Sequence, residues 1–102
     1  MTQSIDAVAW VYVAIQNPGG DEKIVGQRDE ERDIAYIPVF RDRDAALQGV
    51  FHLAKEPGQR LEIQAIIFED LVRYAQKEGF LLFLVDGQGR VASKLTPDGR
   101  LI

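Results

Sequence analysis

Tyr36-Ile37-Pro38-Val39-Phe40-Arg41-Asp42-Arg43-Asp44-Ala45-Ala46-Leu47-Gln48-Gly49-Val50-Phe51-His52-Leu53 is the stretch on which the fold turns. Its first part, with Ile34 and Ala35 ahead of it, reads as a buried strand over Ile34 to Phe40. Pro38 carries no N–H, so it belongs where no ladder partner is needed. A charged link follows, in which Asp42 or Asp44 can cap a helix by accepting from its first free N–H groups. Leu47, Val50, Phe51 and Ala54 then recur at i, i+3, i+4 and i+7, the spacing of one helix face. Gly49 costs about 1 kcal/mol against alanine inside a helix, which close approach to a neighbouring backbone would offset. Glu56-Pro57-Gly58 ends the helix. Both apolar halves of this stretch need cover from the rest of the chain.

Upstream, Ala7 to Ile15 are apolar at every position. Nine residues suit a strand buried on both faces better than a helix. Residues 16–33 form a long charged loop or hairpin arm, opened by the turn signal Asn17-Pro18-Gly19-Gly20. Ile24 and Val25 could make a brief strand within it.

Downstream, Leu61 to Ile67 begin with alternation: Leu61, Ile63, Ala65 and Ile67 inward, Glu62 and Gln64 outward. Glu69 and Asp70 open a second helix, where negative charge suits the macrodipole. Phe68, Leu71, Val72 and Ala75 form its apolar stripe, with Tyr74 beside it. Gly79 stands where a left-handed residue ends a helix, and Phe80 can pack back on the last turn. Phe80 to Val85 read as another doubly buried strand, Asp86-Gly87-Gln88-Gly89 as a hairpin turn, and Arg90 to Leu95 as its return. Thr96-Pro97-Asp98-Gly99 repeats the turn chemistry ahead of Leu101-Ile102.

The element order β-β-α-β-α-β-β predicts an α+β fold. Its form is a two-layer sandwich, a mixed, mainly antiparallel sheet of about five strands with two helices on one face. Residues 1–102 read as one domain. Two helices on one face leave the other face of the all-apolar strands uncovered. The arm 16–33 or a second subunit must cover it, which motivates the expectation of a homo-oligomer, a dimer.

With 46% hydrophobic and 27% charged residues the chain has the make-up of a folded protein, not a disordered one. A net charge of −4, with arginines scattered among acids, disfavours nucleic-acid binding. No apolar run reaches the roughly 18 residues of a membrane helix, and Met1 to Asp6 lack the pattern of a signal peptide. The absence of cysteine excludes a disulfide framework and a thiol nucleophile. Cytoplasmic residence is the default that follows.

Chemistry-bearing constellations are sparse. His52 is the only histidine, without a second His or Cys to share a metal, and no serine or threonine lies near it in sequence as a nucleophile. Neither glycine-bearing turn has the spacing of a phosphate cradle. Trp10, Tyr12, Tyr36, Phe40 and Phe83 read as core, and could also line an apolar pocket. The two acidic helix starts are the one place where ligand chemistry could gather. Tyr36, Phe40, Arg41, Asp42, Asp44, Glu69 and Asp70 are accordingly the ligand-binding candidates. No catalytic residue, metal ligand or cofactor is assigned.

Tyr36-Ile37-Pro38-Val39-Phe40-Arg41-Asp42-Arg43-Asp44-Ala45-Ala46-Leu47 resembles the amino-terminal domain of the SseB-like family, where a strand ending Pro-Val-Phe runs into a polar cap and a helix. The element order from Val8 to Val85 is also similar to a family of small proteins common in cyanobacteria. There the matching pieces are Val39-Phe40-Arg41-Asp42, Ile66 to Glu69, and Glu78-Gly79-Phe80. Both resemblances imply a small α+β fold without a catalytic residue to carry over. The charged arm Asp21–Asp33 departs from their shorter connections. The expectation is a small self-associating binding or interaction module, non-enzymatic by default, with a further protein partner open. The alternative is a small-molecule or metal-binding domain, enzymatic or not, using the acidic helix starts.

Overall fold

The structure, a computed structural model, describes residues 5–53 and 58–95. The readings that involve Ala54, Glu56-Pro57, the turn 96–99 and Leu101-Ile102 lie outside them. The chain is α+β; the described residues form seven strands and two α-helices in the order β1 (Trp10–Gln16), β2 (Lys23–Ile24), β3 (Gln27–Asp29), β4 (Ile34–Val39), α1 (Arg43–Gly49), β5 (Leu61–Ile67), α2 (Phe68–Glu78), β6 (Leu81–Val85) and β7 (Val91–Leu95). A 3-10 turn, Val50–His52, follows α1 directly.

The strands divide into two sheets, β2-β1-β5 and β3-β4-β6-β7. All pairs are antiparallel except β4 with β6, which run parallel. The sheets meet at one bridge, where Tyr12 and Phe40 exchange both N–H···O bonds at 2.9 Å. The arm 16–33 also ties them together. Ile24 pairs with Ile15 in the first sheet, and Gln27 pairs with Tyr36 in the second. The chain crosses between sheets through buried Val25, whose N–H donates to the Ala14 carbonyl at 2.8 Å. The extra strands, against the expected five or so, come from this arm.

Pro38 sits where the ladder has a gap. Phe40 bonds toward β1, so Pro38, two residues earlier, has its nitrogen on the same edge. There β3 has ended at the Gln27–Tyr36 pair and β1 has not yet arrived. No donor is missed at that point.

Alternation along β6 separates two core clusters. Leu82 and Leu84 join Val11, Val13, Ile37 and Val39 beneath Phe68, Leu71 and Ala75 of α2. Phe83 and Val85 face the other way, with Phe40 and with Ala46 of α1. The helices therefore serve opposite faces of β6, a correction to the expectation that both lie on one. The reason is local. Phe40 points away from the α2 side, and α1 starts three residues after it, so the helix lands on the face that Phe40 already occupies.

The first strand begins at Trp10, later than the expected Ala7. Residues 7–9 do different work: the carbonyls of Ala9 and Ala7 accept from the N–H groups of Phe68 and Glu69, both at 2.9 Å. They satisfy donors at the start of α2 that have no partner within the helix. At its other end Gly79 takes φ +79, and the Phe80 N–H reaches the Ala75 carbonyl at 3.0 Å, the long-range bond of a Schellman cap.

Candidate functional site

Parallel β4 and β6 end side by side, and ligands in sheets of this kind favour the carboxyl ends of such strands. Here those ends lead into Arg41-Asp42 and into Asp86-Gly87. Together with Ala45 and Ala92 these residues line a cavity of about 170 Å³. Two of the seven candidates, Arg41 and Asp42, are in it. Its carboxylates are engaged by the backbone. Asp42 Oδ1 accepts from the Ala45 N–H at 2.8 Å and caps α1. Asp86 Oδ1 accepts from Gln88 and Arg90 N–H, each at 2.9 Å. The Arg90 backbone bond, helped by that from Gln88 and by nearby positive charge, holds the Asp86 carboxyl below its usual range. The volume is below the roughly 300–1,000 Å³ typical of small-molecule sites.

Of the remaining five, Tyr36 and Phe40 share the core cluster around Phe83, and Asp44, Glu69 and Asp70 lie apart from it on the surface. Tyr36 stacks on Phe83, with centroids 4.2 Å apart; burial, then the Asp29 charge, raises its phenol. Phe40 is wholly buried, its ring against Gly49. Asp44 is exposed in the first turn of α1. Glu69 and Asp70 are exposed in the first turn of α2, and Asp70 pairs with Arg73 at 2.9 Å. The two helix starts feed opposite core clusters. Among the described residues no group of three His, Asp or Glu side chains gathers to hold a metal ion. His52 is exposed and packs over Gly89.

A larger cleft of about 760 Å³ opens where the arm crosses between sheets. Ile15, Ile24 and Phe80 give it an apolar floor, and Glu22, Lys23 and Glu78 are among its charged rim. Gly26 belongs there because a Cβ would stand 2.7 Å from the Phe80 ring. Tyr74 lies nearly parallel to Phe80, with centroids 6.5 Å apart. None of the candidates named from sequence lines this cleft.

The most exposed apolar side chains lie elsewhere. Phe51 is 86% exposed, Val8 73%, Trp10 59%, and Leu47 and Val91 44% each. Trp10 shares a strand face with Tyr12, which packs on the Phe40–Ala46 cluster, so it lies on the side of the molecule that carries α1. Placing Leu47 and Phe51 in the core is corrected by these exposures. The helix ends at Gly49 and tightens into a 3-10 turn, which breaks the i, i+3, i+4, i+7 stripe. The face that reaches the core carries small residues instead, buried Ala46 and Gly49. That pair three residues apart was the signal in the sequence.

Comparison with protein-family models, with curated proteins and with solved structures gives no match. Among the described residues no helix is long and apolar enough to cross a membrane.

Proposed function

We propose that the protein is a small interaction module that self-associates through the side carrying Trp10, Leu47 and Phe51. The observation that carries this is the exposure of two large aromatics, Trp10 and Phe51, on that side. At 59% and 86% exposure they present on the order of 300 Å² of apolar surface. Apolar surface on the order of a few hundred Å² is the size of the largest patch on a typical monomer, and such patches are often functional. Half-buried Leu61, Ile63, Ala65 and Ile67 of β5 extend the apolar character of the same side. Aromatic anchors of this kind supply most of the binding energy in protein interfaces. Light scattering across a micromolar concentration series tests the proposal. A dimer that Phe51→Ser and Trp10→Ser weaken supports it; a monomeric mass throughout sinks it.

The cleft of about 760 Å³ favours a second reading, small-molecule binding, because its size falls in the usual ligand range. A ligand at 100 times its dissociation constant stabilises by about 2.7 kcal/mol, so a metabolite thermal-shift screen reads it out. A stabilising compound whose effect survives Tyr74→Ala and Phe80→Ala would place its site elsewhere.

A further inference from the structure

Strand β5 pairs with β1 over all seven of its residues. Tyr12 gives both its backbone groups to Phe40, and the Ala14 carbonyl accepts from Val25. Even-numbered residues of β1 thus bond away from β5, while Val11, Val13 and Ile15 bond toward it. Their partners Ile66, Gln64 and Glu62 complete that ladder. Leu61, Ile63, Ala65 and Ile67 are left with their N–H and C=O groups aimed at the outer edge. No strand pairs there among the described residues.

Edges of this sort invite pairing, and proteins usually blunt them with charge, proline, bulges or brevity. The other three edges show such devices. β2 has two residues, one of them Lys23. β3 has three, with Arg28 and Asp29. β7 carries Lys94 and an irregular register against β6. β5 is seven residues long, has no proline, glycine, lysine or bulge, and carries one charge, Glu62.

We propose that a second copy of this chain docks on β5, antiparallel, about a twofold axis at Gln64. Two three-stranded sheets then merge into one of six strands. This rests on the self-association reading above and specifies its geometry. Centred on Gln64, Ile63 meets Ala65 of the partner copy and Leu61 meets its Ile67. All four outward-bonding residues then exchange paired hydrogen bonds. Leu61, Ile63, Ala65 and Ile67 share one sheet face, so these cross-strand pairs are apolar throughout. On the opposite face the Gln64 amides meet at the axis, and Glu62 lies opposite Ile66, not another carboxylate. An axis at Ile63 would leave Ile67 unpaired, and one at Glu62 would oppose two carboxylates. Trp10 is the cross-strand neighbour of Ile67, so the docked edge continues the exposed apolar side. Stable interfaces bury about 800 Å² per partner, roughly one-eighth of this chain's 6471 Å². One strand edge is narrower than that, so side chains flanking it must contribute.

The chain has no cysteine, so Gln64→Cys introduces a single thiol. At the axis the two Cα atoms would stand about 4.5 Å apart, within disulfide reach. Oxidised Gln64→Cys is expected to run as a covalent dimer on a non-reducing gel. Glu62→Cys is the control: its twofold mate lies about 13 Å away along the strands, and it stays monomeric on the gel. Ala65→Pro removes an outward N–H and no bond to β1, so folded protein, checked by circular dichroism, is expected to lose its dimer mass. A dimer by light scattering that Gln64→Cys does not cross-link, or that a folded Ala65→Pro leaves intact, overturns the β5 geometry and leaves self-association standing. A monomer in every assay overturns both.

Discussion

The Phe40 ring fills the space that a side chain at Gly49 would need. Phe40 is wholly buried, and the Asp86 carbonyl oxygen stands 3.0 Å from the same point. The glycine that weakens α1 by propensity is what lets the helix lie flat on the end of β4. Gly49→Ala tests this. Alanine gains up to about 1 kcal/mol of helix propensity, but overpacking a closed core costs about 1–3 kcal/mol. The ring has no room to swing, so a net loss of about 1–2 kcal/mol is expected. The urea midpoint should fall with an unchanged slope.

Asp42 begins the same helix from the other end. Its Oδ1 accepts from the Ala45 N–H at 2.8 Å, while its backbone carbonyl accepts from Ala46 at 3.1 Å. Removing such a cap costs about 1 kcal/mol. Asp42→Ala should therefore lower the melting temperature by about 5 °C in a domain of this size, and Asp42→Ser should restore most of it. If Asp42→Ser melts no higher than Asp42→Ala, the carboxylate acts in the cavity beside Asp86 and not as a cap.

Periodicity made β5, β6 and α2 legible. Leu61, Ile63, Ala65 and Ile67 alternate, and Phe68, Leu71 and Ala75 recur at helix spacing, so both patterns survive without knowledge of the rest of the fold. The division into two sheets was not legible. It depends on Lys23–Ile24 and Gln27–Asp29, strands too short to carry a pattern, whose partners are chosen by backbone bonds from β1 and β4. The site fared similarly. Arg41 and Asp42 sit beside Asp86 because β4 and β6 are parallel neighbours, a relation no local spacing encodes. Glu69 and Asp70 share only their chemistry with Asp42 and Asp44. The exposure of Phe51 follows from one event, the end of α1 at Gly49, which moved a residue expected in the core onto the surface.

Asp86 links the β6–β7 turn to pH. Its carboxylate accepts two backbone N–H bonds, which are stronger to the ionised form than to the neutral acid, and its folded pKa lies below the usual 3.8. A depressed carboxyl pKa contributes stability that is present above the unfolded value and lost as pH falls through the folded one. The wild type should thus lose stability on acidification from about pH 4 downward. Asp86→Asn, which keeps an acceptor but cannot titrate, should be less stable than wild type at pH 6 and approach it toward pH 2. Urea denaturation at each pH measures the gap. A gap that stays constant across that range would sink the assignment.

Gly79 presents the reverse case to Gly49. It has φ +79, and a Cβ there would meet nothing within 4 Å. Only the backbone conformation restricts the position, since an L side chain in the left-handed region costs about 1–2 kcal/mol. Asparagine tolerates that region better than alanine. Gly79→Ala should therefore lose about 1 kcal/mol or more, and Gly79→Asn clearly less. At Gly49, where space is the limit and the backbone is ordinary helix, the order should invert, with the larger asparagine costing more than alanine. Urea denaturation of the four variants reads both orders. The same order at both sites would mean that one of the two glycines is held by something other than the cause assigned to it.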